Sequence, residues 1–165
     1  MHRPMWLLAL AVGCGSLACG LGSAPPIDVA AACSRGDLTV QIEAEHPLLA
    51  GDATADAQRC ATVAETLGHY REEYELRFDH LELNHIPVRL RVAMDLRTTG
   101  VESQFAVSGH TYGDAIDIAG TMLESFPHEL NHVRAGSGHD GWCIDYEPWS
   151  EAVLGINQRG YLGCR

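Results

Sequence analysis

Lysine is absent from this chain of 165 residues, so its 11 basic charges are all arginine, set against 22 aspartates and glutamates for a net charge of −11. A surface that acidic disfavours nucleic acid and anionic lipid as partners, because both would be repelled. It names no substrate. A long hydrophobic run is also missing. The apolar stretch Met5–Val12 is too short to span a bilayer and has no stop-transfer flank. Nor do the six cysteines fall into a C-x-x-C pattern, which argues against a cysteine zinc site. Internal repeats and low-complexity blocks are lacking as well.

What is present begins with an export signal. Residues 1–24 combine Arg3, the short apolar core and small residues. Ser16-Leu17-Ala18-Cys19 resembles a bacterial lipobox, with Ala11-Val12-Gly13-Cys14 as an earlier candidate. The expected location is therefore the cell envelope, as a lipoprotein acylated on Cys19 or Cys14, or else secretion. Membrane contact is expected only through such an anchor. Residues 25–36, rich in small residues and proline, read as a tether, and 37–165 as one domain. Four cysteines remain in the exported part. An even number in an exported chain implies two disulfides, and of the three connectivities the neighbour pairing Cys33–Cys60 and Cys143–Cys164 is preferred.

Within the domain, Leu38–Ala44 alternates apolar and polar residues, the mark of a half-buried strand. Residues 53–78 carry Cys60, Val63, Leu67, Tyr70 and Tyr74 at helical spacing, behind Asp52 or Thr54 as a cap. Gly68 weakens the middle of that helix. Ile86–Val92 reads as a second strand, residues 95–113 as a loop, and Asp114–Ala119 as a third strand closed by Gly120. A helix follows. It starts near Met122 if Thr121 and Glu124 form a capping box, or near Ser125 with Pro127 in its first turn. Gly136 ends it. A last helix spans Pro148–Gln158.

The most informative residues lie in that second helix: His128-Glu129-Leu130-Asn131-His132, an H-E-x-x-H motif. Residues four apart share a helix face, so both imidazoles can hold one zinc ion. Glu129, beside the first ligand, can serve as general base on a metal-bound water. A catalytic zinc takes three protein ligands and one water, so a third ligand is required. Glu151, nineteen residues past His132, and His139, in the Gly136-Ser137-Gly138-His139-Asp140 turn, both qualify.

The motif together with Pro148-Trp149-Ser150-Glu151-Ala152 resembles the gluzincin branch of the zincin metallopeptidases, in particular peptidase-MA-like proteins. There a glutamate on a second helix follows H-E-x-x-H by about twenty residues. The resemblance is motif-specific over 121–153 and extends over 38–158 as an order of elements. It implies an α+β zincin-like fold, with a small mixed sheet, a long N-terminal helix, the H-E-x-x-H helix and a C-terminal ligand helix. It further implies zinc as cofactor, His128, His132 and Glu151 as ligands, Glu129 as base, and a peptide or protein substrate. In the metzincin pattern the glycine and third histidine would each come one residue earlier than Gly136 and His139 do here.

The expectation is thus a monomeric zinc metallopeptidase whose Asp114–Ala119 strand lies along the substrate cleft. Tyr161, Tyr146 and His139 are the nearby donors for an oxyanion. Against it stands a degenerate, metal-holding envelope lipoprotein with little catalysis, motivated by the short stretch after Glu151. A disulfide-stapled domain with no metal is the third reading. Trp142 and Trp149 read as packing around the site, and Asp140 as a hydrogen-bond partner for a ligating imidazole. His69, His80, His85 and His110 read as surface residues, and Asp114 and Asp117 as facing water.

Overall fold

A computed structural model describes residues 22–83, 86–93, 108–136, 138–157 and 159–162. Residues 1–21 of the expected export signal, His85 and residues 94–107 lie outside them. Strands β1 (Val29–Arg35), β2 (Leu38–Glu43), β3 (Val88–Arg91), β4 (Gly109–Thr111) and β5 (Ile116–Ala119) form one mixed sheet in the order β1-β2-β3-β5-β4. The hairpins β1/β2 and β4/β5 are antiparallel, while β2/β3 and β3/β5 are parallel. A parallel pair needs a crossover, and α1 (Ala53–Arg77) supplies the one between β2 and β3. The fold is α+β, as expected.

The period-two pattern of β2 does what it implies. Leu38, Val40 and Ile42 are buried, and they join Val88, Leu90, Ile116 and Ile118 on the face covered by helices. Helix α1 is capped by Asp52, whose Oδ1 accepts from Ala55 N–H at 2.9 Å. It buries Cys60, Val63, Ala64, Leu67, Gly68, Arg71 and Tyr74, whereas Tyr70 lies at the margin of the core. Gly68 has a reason to be there: a Cβ at that position would collide with the Arg35 guanidinium. Its helical cost makes room for Arg35 to cross the helix and reach Glu72 at 2.8 Å. A disulfide joins Cys33 to Cys60 and ties β1 to α1. Cys143 is also disulfide-bonded, and Cys164, its expected partner, lies outside the described residues.

Four expectations are corrected. Residues 29–35 are not tether but β1, because pairing with β2 satisfies their backbone groups. Residues 109–111, expected within a loop, form β4. Among the described strands this puts β4 at one end of the sheet, and β5, the later part of the expected Asp114–Ala119 strand, inside it. Asp117 does not face water. It is fully buried between Arg89 at 2.5 Å and Arg91 at 2.6 Å, which offset its desolvation. The last helix is shorter and irregular: α3 (Tyr146–Trp149) runs into a π-turn, Ser150–Leu154, ended by Gly155. A short helix α4 (Arg159–Leu162) follows. Among the described residues no helix is long and apolar enough to cross a membrane.

The motif helix α2 (Phe126–Ala135) takes the later of its two possible starts, with Pro127 in the first turn. It packs against α1 and β4. Tyr74 O–H and Arg134 Nε–H both donate to Asn131 Oδ1, at 2.8 and 2.9 Å. The Arg134 guanidinium also lies 4.3 Å over the Phe78 ring and reaches Asp145 at 3.2 Å. These contacts clamp α2 between α1 and the segment that follows it.

Candidate metal centre

His128 and His132 project from one face of α2, one turn apart, with their Nε2 atoms 3.1 Å from each other. Gly136 then turns the chain out of the helix at φ +85°, a left-handed conformation suited to glycine. The returning loop carries His139, whose Nε2 stands 3.3 Å from that of His128 and 3.2 Å from that of His132. Three ring nitrogens thus meet at one point. Tetrahedral zinc with bonds of about 2.0–2.1 Å would hold its nitrogens about 3.3 Å apart, so the donor set fits that ion. The Nδ1–H of His132 donates to Gly136 O at 2.9 Å, which leaves its Nε2 lone pair for a ligand. Burial lowers the pKa of His132 against a smaller rise from the Gly136 bond. Burial also lowers that of His139, with neighbouring His132 adding to the effect and Asp140 opposing it. Neutral imidazoles are what a metal requires.

Trp142 backs the cluster. It is only 2% exposed, and its ring centroid lies 4.9, 4.7 and 4.6 Å from those of His128, His132 and His139. Tyr146 packs against Trp142 at 5.3 Å, its hydroxyl buried with no hydrogen-bond partner among the described residues. Burial raises its pKa. Its ring also lies 6.2 Å from that of His128.

Glu129 is 3% exposed and turns toward β4, where Thr111 Oγ1 lies 2.7 Å from its Oε2. Burial pushes its carboxyl up to about 8, with Thr111 pulling the other way and Asp117 adding a small rise. A dication beside it would reverse that shift by favouring the carboxylate.

Glu151 does not join the histidines. Its side chain is exposed on the π-turn, where it accepts from Asn157 Nδ2 at 3.0 Å and pairs with Arg159 at 3.3 Å. The reason is packing. Tyr146, Glu147 and Trp149 of α3 and Ser150 of the turn face inward, and burying them leaves Glu151 pointing out. Among the described residues, the close group of ligand atoms is that of His128, His132 and His139. Among the other singled-out histidines, His69 is exposed, His80 pairs with Glu75 at 3.0 Å, and His110 is half-buried on β4 against the Tyr112 ring at 4.5 Å. Gly109 and Thr111, which touch Glu129, carried no signal in the sequence, because the stretch around them shows no period. Comparison with protein-family models, with curated proteins and with solved structures found no match for the chain.

Proposed function

We propose that this protein is a zinc-dependent hydrolase of peptide bonds, with His128, His132 and His139 as the metal ligands and Glu129 as general base. The observation that carries the reading is the convergence of three Nε2 atoms within 3.1–3.3 Å beside a buried carboxyl on the residue next to His128. Zinc in such a site supplies a Lewis acid and lowers the pKa of a water in its open position. Glu129 takes a proton from the attacking water and delivers it to the leaving amine. His132 is held in the ligating tautomer by Gly136, and Trp142 keeps water from the back of the three rings. Strand β4, at one end of the sheet among the described strands and beside α2, is the strand on which an extended peptide would pair by strand addition. The Cys33–Cys60 disulfide supports an oxidising compartment and thus export, with lipid anchoring at Cys19 or Cys14 as part of the proposal.

The second reading, a metal-holding envelope domain without catalysis, is favoured by the burial of the hydroxyl of Tyr146, whose ring packs against Trp142. One experiment separates the two. Purified oxidised protein is reconstituted with zinc, its metal content is measured, and it is offered a broad quenched-fluorescent peptide library beside Glu129→Gln. Hydrolysis lost in Glu129→Gln with zinc retained supports the peptidase. Full activity in that variant sinks the proposed base, and a zinc-loaded but inert wild type favours the binding domain.

A further inference from the structure

Positions 109 and 111 lie on the same face of β4, and both meet the side chain of Glu129. Position 111 brings a hydroxyl: Thr111 Oγ1 is 2.7 Å from Glu129 Oε2 and 3.1 Å from the Glu129 carbonyl oxygen. Position 109 brings space. A Cβ on Gly109 would stand 2.7 Å from Oε1, 2.8 Å from Cγ and 2.9 Å from Cδ of Glu129, closer than real side chains approach. Gly109 sits in ordinary strand pairing with Ile118, so its backbone does not call for glycine. What calls for it is the carboxyl opposite. The main chain of Glu129 is already held by α2, so its remaining freedom is side-chain rotation. Gly109 lets the carboxyl lie against the main chain of β4, and Thr111 holds it there by a hydrogen bond.

We infer that Gly109 and Thr111 form a seat that fixes the Glu129 carboxyl for proton transfer, with Thr111 a positioning residue that acts through Glu129. The inference rests on the reading of Glu129 as the base. It also gives β4 a second role. The strand proposed to pair with substrate is the one that aims the base, so both are set by one rigid element.

The test uses zinc-loaded full chain and acetohydroxamate, a small chelating acid whose hydroxyl proton needs a nearby base as it binds. Glu129→Gln should weaken binding most. Thr111→Val should weaken it by about tenfold, the cost of one hydrogen bond to a charged group, with zinc stoichiometry retained. Thr111→Ser should restore wild-type affinity. Gly109→Ala should act in the direction of Thr111→Val, because its methyl displaces the carboxyl. Adding Thr111→Val to Glu129→Gln should cause no further loss, as for two residues acting through one group. Wild-type affinity in Thr111→Val, additive losses in the double variant, or loss of zinc from Thr111→Val would each overturn the inference alone. Undiminished binding in Glu129→Gln with zinc present would overturn the base assignment, and the seat with it. A wild type that takes up no zinc would overturn the metal centre itself.

Discussion

The two sides of the centre are built differently. His128, Glu129 and His132 ride on α2, whose position is held by Tyr74 on α1 and whose spacing is a property of any helix. His139 rides on a loop that begins at Gly136 and reaches the site because of a left-handed turn and the indole of Trp142 behind it. The helical side is preorganised by hydrogen bonds inside one element. The loop side is preorganised by packing between elements, and packing can be lost without unfolding the helix. Metal affinity should therefore respond to both sides, but for different reasons.

The largest effect should come from the helical side. His132→Ala removes a ligand and opens one end of α2's pair, and zinc stoichiometry measured by mass spectrometry should fall to near zero. His139→Ala leaves a two-histidine site. Its zinc affinity, read by chelator competition, should drop by about a hundredfold or more, since structural zinc binding spreads its free energy over few ligands. The comparison breaks if Glu151→Ala loses zinc instead. An unchanged affinity is expected there, because the Glu151 carboxylate is already engaged by Asn157 and Arg159 on the surface.

Trp142→Phe should sharpen the comparison. It keeps all three ligands and thins the plate behind them, for an expected loss of about tenfold in zinc affinity. A change confined to melting temperature, with affinity intact, would make Trp142 a core residue only.

The next effect concerns stability rather than affinity. In the metal-free chain the Glu129 carboxyl has a folded pKa of about 8 against an ordinary value of 4.5. Below pH 4.5 it is protonated in both states and has no effect on stability. Between 4.5 and 8 the unfolded chain ionises while the folded one does not, so stability is lost as pH rises, by about 3 kcal/mol at pH 7. Metal-free Glu129→Gln should accordingly melt above wild type at neutral pH, with the gap closing toward pH 4.5. The histidines run the other way. The folded pKa values of His132 and His139 are depressed by burial, so the contribution of these two is intact above about pH 6.5 and lost as pH falls through the folded values. A gap that is independent of pH would contradict the burial argument for Glu129.

Much of this was legible in the residues, and what was not has a common cause. Short-range regularities survive in sequence. The alternation of Leu38, Val40 and Ile42, the helical stripe through Cys60, Leu67 and Tyr74, and the four-residue spacing of His128 and His132 all became the elements they implied. Strand β4 has three residues, too few to show a period, so Gly109 and Thr111 passed as loop. Asp117 looked exposed because one side of a strand pattern is polar by default. Arg89 and Arg91, which make its burial possible, sit on the neighbouring strand 26 to 28 residues away.

By itself, then, the sequence determined the local geometry: a strand by period two, a long helix by period 3.6, and two imidazoles on one turn with a glutamate between them. Only tertiary structure decided which candidate third ligand stands beside His128 and His132. His139 lies 7 residues past His132 and Glu151 lies 19, both close enough to return to the helix, and the choice fell to packing. Tyr146 and Trp149 had to face the core, which turned Glu151 outward, while Trp142 folded inward and carried His139 to the helix. Such a choice depends on which rings bury best against one another in three dimensions, and spacing along a chain does not encode that.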